Sequence, residues 1–180
     1  LFAILFLFKG ISIFNSIFFI SIFFLGLLSD INKLNSPKVR FVIQLVIVTF
    51  YIYFNDTYVN EIRINYVDNY LFNFLIIKIA FTVFCVLILI NGSNFIDGVN
   101  SLSSGYFFII LSNIIYINLN NEFILNIYNL NLIVIILFIF LIFNLASKSF
   151  LGDGGSYLLS FYVAFFFIHL FNQNPLISPY

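Results

Sequence analysis

The chain has 180 residues, of which 63% are hydrophobic, 22% aromatic and only 8% charged, with seven Lys/Arg balanced by seven Asp/Glu. A soluble domain carries about 25% charged side chains. A soluble core of this length could not hide 28 Phe together with the Ile and Leu runs without large apolar patches. A formal net charge of zero supplies no basic field to hold nucleic acid. The single cysteine, Cys85, lies inside an apolar run, which excludes an internal disulfide framework and a cysteine metal cluster. The solvent that fits these side chains is lipid. The expected fold is all-α: a polytopic transmembrane helix bundle with about six complete helices plus part of another.

About 20 helical residues cross a hydrocarbon core of roughly 30 Å. In chain order, residues 1–8 read as the tail of one span, followed by complete candidates at 11–28, 39–54, 71–90, 102–119, 130–145 and 157–171. The third carries Lys78, which must snorkel or face the bundle interior. Residues 55–70 alternate weakly but are rich in Asn and charge, and are expected to form a loop with a short strand. The first residue, Leu1, is already apolar and the last residues approach another segment. Residues 1–180 are therefore expected to be a partial integral-membrane domain, truncated at both ends.

The connecting segments fall into two sets. Residues 29–38, 91–101 and 146–156 each hold an Asp beside Gly, Asn, Ser or Lys, and the even number of crossings between them places all three on one side. Lys33, Lys38, Arg40 and Lys148 lie near this set, against Lys9 and Arg63 near the other. The positive-inside rule then puts the Asp-bearing segments in the cytoplasm.

In the first segment Asp30 stands at a helix end, where it can hold a cation, and Lys33, Lys38 or Arg40 can meet phosphate, Lys as a mobile charge and Arg as a bidentate fork. Its ordinary reading is a turn with Pro37 opening the next helix. In the second, Asn91, Asn94 and Asp97 are spaced three apart, which on a continuing helix makes one drifting polar face. Amides and a carboxylate together suit a sugar phosphate or a metal-bound phosphate, whereas a helix cap needs only one or two such residues. The third, Gly152-Asp153-Gly154-Gly155-Ser156, can combine exposed amides with a carboxylate ligand for a divalent cation. No Gly-Lys-Ser/Thr follows, so it is not a Walker loop, and no βαβ context makes it a dinucleotide fingerprint. Mg²⁺ favours carboxylates, waters and substrate phosphates over a cage of protein ligands. A cytoplasmic-face Mg²⁺ site for a pyrophosphate-bearing substrate is the functional expectation, and a transporter or channel whose polar loops merely face water is its competitor.

At these three segments the sequence resembles the polyprenyl-phosphate sugar-1-phosphate transferases, glycosyltransferase family 4 in the broad sense. Asn91, Asn94, Asp97 and Gly98 match the family's Asn-x-x-Asn-x-x-Asp-Gly segment, and Gly152, Asp153, Gly155 and Ser156 its Gly-Asp-x-Gly-Ser segment. Asp30, Ser36-Pro37-Lys38 and Arg40 look like its acidic pair and basic helix start, but the first position of that pair is Ser29 here. Asn100 and Ser101 also depart from the usual continuation, and His169 sits in an apolar run and is not matched to the family's His-rich loop.

The resemblance implies transfer of an N-acetylhexosamine-1-phosphate from a UDP-sugar to polyprenyl phosphate, with release of UMP. This chemistry belongs to cell-envelope glycan synthesis at the cytoplasmic face of the bacterial inner membrane. The implied cofactor is Mg²⁺, with Mn²⁺ as an alternative ion. The implied partners are UDP-N-acetylhexosamine, polyprenyl phosphate and membrane lipid, with a homodimer as one assembly to test. It implies Asp153 as a direct metal ligand, Asp97 near the metal or the acceptor, and Asp30 as an activator of the acceptor phosphate. Asn91, Asn94, Lys38, Arg40, Gly152, Gly155 and Ser156 are the expected substrate contacts. A polytopic transporter or an inactive lipid-phosphate-binding scaffold stands as the alternative.

Overall fold

The computed structural model describes residues 13–98, 101–121 and 127–173. The partial span at 1–8, Asn100, Glu122 and the tail from 174 lie outside them. Among the described residues there are seven helices and no strand: α1 (Ile13–Asp30), α2 (Pro37–Asn55), α3 (Asn65–Asn73), α4 (Leu75–Ile96), α5 (Leu102–Asn121), α6 (Ile127–Leu145) and α7 (Gly152–Gln173).

Three of these, α2, α4 and α7, are long and apolar enough to cross a membrane. The apolar stretches of α1, α5 and α6, at Phe14–Asp30, Leu102–Ile117 and Leu130–Leu145, are shorter. Phe24, Val42, Phe50, Phe84, Ile109 and Phe138 are exposed on their helices. Side chains of this kind belong in a core or in lipid.

α7 is the central helix. It packs against α1 and α4 and also touches α5, while α5 pairs with α6 and α2 packs on α1 and α4. Its buried residues run from Gly154 to Leu170 around its whole circumference, as expected of a helix surrounded by protein. The core includes an aromatic knot: Tyr51 and Phe165 rings lie 4.2 Å apart, Phe161 and Phe165 4.8 Å, and Phe19 and Phe161 5.0 Å. These tilted and edge-on arrangements suit the ring quadrupoles.

Local chemistry sets the helix ends that matter. Pro37 opens α2 after Ser36 in extended backbone, and Asp56 ends it in the left-handed region with φ 49°, its N–H bonding Ile52 O. α4 does not stop at Ile90, where hydropathy falls, but continues to Ile96. The Gly-rich segment 152–156 is not a free loop, because α7 begins at Gly152.

The short strand expected in 55–70 is not formed; the segment ends in helix α3 instead. Its buried Leu71 stands four residues after half-buried Val67, a helical spacing that overrides the weak alternation. Asp68 in its first turn accepts the Ile62 N–H at 2.7 Å. Phe74, extended with φ −127°, separates α3 from α4. Residues 58–60 fold onto the ends of α4 and α7. Val59 N–H donates to Thr82 Oγ1 at 3.0 Å, and Asn172 Nδ2 donates to Tyr58 O at 2.7 Å. Lys78 reaches this end, its Nζ donating to Asn60 Oδ1 at 3.3 Å, which is the snorkelling solution.

Candidate active site

At the other end of the bundle the C-termini of α1 and α4 meet the N-termini of α2 and α7. Arg40, in the first turn of α2, donates through Nη1 to Asp153 Oδ2 at 2.6 Å and also to Ser29 Oγ. Ser29 Oγ in turn donates to the same Asp153 oxygen. The Arg40 and Asp153 side chains are 21% and 25% exposed, so the pair is neither sealed from water nor freely solvated. Arg40 Nε is buried and finds no acceptor among the described residues. A buried guanidinium N–H with no partner is costly, and a phosphate oxygen would satisfy it.

Asp30, the last residue of α1, turns its carboxylate onto the start of α7. Its Oδ1 accepts the Asp153 N–H at 2.8 Å and its Oδ2 the Gly154 N–H at 3.1 Å. Gly152 occupies the left-handed region with φ +66°, and a Cβ on it would stand 2.8 Å from Asp30 Oδ2. Both facts require glycine there.

Asp97 closes α4 beside this group. Its carboxyl is pushed up to about 6 by burial first and by the charge of Asp153 second; a Gly152 backbone hydrogen bond pulls the other way, and Asp30 adds to the rise. The three carboxylates expected from separate segments thus share one electrostatic neighbourhood, with Arg40 as the cation bonded within it.

The other expected residues sit around this centre. Asn91 Nδ2 donates to Gln44 Oε1 and to Leu87 O, each at 2.9 Å, which ties α4 to α2. Asn94 is half-buried on α4 between Asn91 and Asp97, and Lys38 is exposed on the first turn of α2. Gly155 abuts the Leu151 side chain. Ser156 is fully buried one turn into α7, its hydroxyl 3.3 Å from that of Ser93 on α4.

Three participants carry no motif. Gly26 lies against the α7 backbone, Gln44 is the buried partner of Asn91, and Ser93 is the partner of Ser156. A glycine inside an apolar helix and a lone amide inside an apolar run were the available signals.

A family model described as glycosyl transferase family 4 matches residues 12–171, a stretch that contains every one of these groups. The chain belongs to glycosyl transferase family 4. Comparison with the curated proteins and with the solved structures finds no match. The family includes the polyprenyl-phosphate sugar-1-phosphate transferases, so this family 4 chain is a membrane-associated protein with transferase chemistry of that general type.

A divalent ion fits the donor set of this family 4 site. The side chains are carboxylates, the ligands that hard cations take, and a cation would relieve the repulsion between Asp97 and Asp153. Among the described residues no group of three His, Cys, Asp or Glu side chains is placed to hold a metal ion. Mg²⁺ does not require one, since water and substrate phosphate complete its shell.

Proposed function

We propose that the protein transfers an N-acetylhexosamine-1-phosphate from a UDP-sugar to polyprenyl phosphate and releases UMP. In this reading it works as a multi-pass protein at the cytoplasmic face of the bacterial inner membrane, with six crossings among residues 11–171. The observation that carries the reading is the meeting of Asp30, Asp97, Asp153 and Arg40, drawn from four helices, at one end of an apolar bundle. A lipid acceptor reaches such an end from within the bilayer, and a charged nucleotide sugar reaches it from water.

Asp153 and Asp97 are the residues that would hold Mg²⁺, which supplies neutralising charge to the diphosphate of the donor. Arg40 offers its unpartnered Nε to a phosphate oxygen while Nη1 stays with Asp153. Lys38, exposed on the same first turn of α2, adds a second positive charge at the approach. Asn91 and Asn94 present amides along the last turns of α4 for the nucleotide or the sugar. The acceptor phosphate oxygen is itself a nucleophile, so no covalent enzyme intermediate is needed.

The test is direct. Purified protein incubated with UDP-GlcNAc, undecaprenyl phosphate and Mg²⁺ should form the lipid-linked sugar and UMP in equal amounts. Absence of product with UDP-GlcNAc, UDP-GalNAc and UDP-MurNAc-pentapeptide, together with specific uptake of a solute into proteoliposomes, would support a transporter instead.

A further inference from the structure

We propose that Asp30 is a positioning residue: by bonding the Asp153 and Gly154 N–H groups it fixes the first turn of α7, and so the direction of the Asp153 carboxylate, without exchanging a proton with the acceptor. The first N–H groups of a helix have no partner within it, and a nearby Ser, Thr, Asp or Asn commonly supplies one. α7 lacks that local cap, because Phe150, Leu151 and Gly152 lead into it and none carries a side-chain acceptor. Asp30 supplies it from 123 residues away.

On its own helix Asp30 is misplaced, since a carboxylate at a helix C-terminus faces the negative end of the dipole. Seated on the N-terminus of α7 the same charge becomes favourable. The surrounding glycines fit this assignment. Gly152 leaves room for the Asp30 carboxylate, and Gly26 lets the α1 backbone approach so closely that a Cβ there would stand 2.5 Å from the Asp153 carbonyl carbon. With the turn held this way, the Asp153 side chain lands on Arg40 and Ser29.

The assignment rests on the transferase reading only where turnover is measured. The variants are Asp30→Asn, whose amide can accept one of the two N–H groups but sets its own donor against the other, and Gly152→Ala, which leaves the carboxylate chemically intact but displaces it and strains the backbone at φ +66°. The readouts are hydrogen exchange across the first turn of α7, Mn²⁺ affinity of the substrate-free protein by electron paramagnetic resonance, and the pH profile of kcat/KM. Asp30→Asn is expected to accelerate exchange at Asp153 and Gly154 and to weaken Mn²⁺ binding about tenfold, the lower end for loss of a group supporting a metal ligand. It should lower kcat more than it changes KM and leave the acid limb of the profile in place. Gly152→Ala should do the same, and the double variant should fall short of the sum of the two.

Loss of the acid limb in Asp30→Asn, with exchange and Mn²⁺ affinity unchanged, would overturn the assignment and make Asp30 a proton acceptor. Should Asp30→Asn fail to fold, Gly152→Ala decides: unchanged exchange and Mn²⁺ affinity would equally overturn it. Exchange and Mn²⁺ binding are read without substrate. A wild-type protein that does not turn over therefore counts against the transferase, and leaves these two measurements to judge Asp30.

Discussion

Gly26 of α1 lies flat against the backbone of Asp153: a Cβ on Gly26 would stand 2.5 Å from both the carbonyl carbon and oxygen of Asp153. Backbone cannot rotate away as a side chain can, so the two helices would have to part. Gly154 faces the same contact, with a Cβ there 3.2 Å from Leu27 N, and small residues at such crossings let membrane helices approach closely. Gly26→Ala is therefore expected to destabilise the protein by about 1–3 kcal/mol, the usual cost of overpacking. Because the shift falls on the Asp30 and Asp153 contacts, turnover should drop further than thermal stability does. A thermal melt in detergent and an initial-rate assay check both; Gly92→Ala, inside α4 where a Cβ meets nothing within 4 Å, is the control and should raise stability by up to about 1 kcal/mol, since Ala is the better helix former.

Asp153→Asn removes the charge that Arg40 and Ser29 share. The prediction is loss of turnover with insertion into the membrane retained, since α7 keeps its apolar length and its buried face. Removing one partner of a fully buried ion pair costs about 3–5 kcal/mol, and surface pairs about 0–1 kcal/mol. At 21% and 25% side-chain exposure this pair falls between the two, so a measurable but incomplete loss of stability is expected. Near-wild-type turnover would remove Asp153 from the proposed metal role.

Among the described residues, five of the six complete spans expected from apolar runs fall on one helix each, because burial in lipid or protein demands the same run of side chains in either case, whereas 71–90 is broken at extended Phe74 between α3 and α4. The ends were less legible. α4 carries on through Asn91 and Asn94 because polar groups at its end find partners across the bundle, as Asn91 does with Gln44. The Gly-rich segment reads locally as a loop, yet starts a helix because its cap comes from Asp30, far away in sequence. The grouping of Asp30, Asp97 and Asp153 followed from counting crossings. Their division of labour did not, since nothing in local sequence tells a carboxylate on a backbone N–H from one on an arginine.

The cytoplasmic placement of the Asp-bearing end can be tested with a background that needs one change, Cys85→Ser, because Cys85 is the only cysteine. Exposed Lys33 and Lys148 lie beside the site, and exposed Asn69 lies on α3, in the segment that folds toward the other end. In intact cells a membrane-impermeant maleimide should label Asn69→Cys and leave Lys33→Cys and Lys148→Cys unlabelled until the cells are opened. Labelling of either lysine position from outside would break the proposed topology.

Asp97 gives the metal-free protein a pH signature. Its carboxyl sits at about 6 in the folded protein, against about 3.9 for an unperturbed Asp. The folded state therefore binds this proton more tightly than the unfolded chain, and Asp97 adds stability as pH falls through 6 that is lost again as pH rises above it. Between pH 7.5 and pH 5 the thermal midpoint of chelator-treated wild type should rise relative to that of Asp97→Asn, in which this contribution is absent. Identical pH slopes for the two proteins would show that burial and the Asp153 charge together do not raise the Asp97 carboxyl.

Ser29 stands where the family's pattern has an acidic residue, and its hydroxyl both accepts from Arg40 and donates to Asp153. Ser29→Ala removes both bonds but leaves the Arg40–Asp153 contact. Both partners are charged, and a hydrogen bond to a charged group is worth about 1.5–3 kcal/mol, so turnover should fall by about ten- to a hundredfold per bond lost. Ser29→Asp places a second carboxylate against Asp153 with only Arg40 bonded between them. Like charges this close disfavour the metal-free protein and favour a bound cation. The expected result is a lower thermal midpoint in chelator together with tighter Mn²⁺ binding. Unchanged values of both would place residue 29 outside the electrostatic reach of the site.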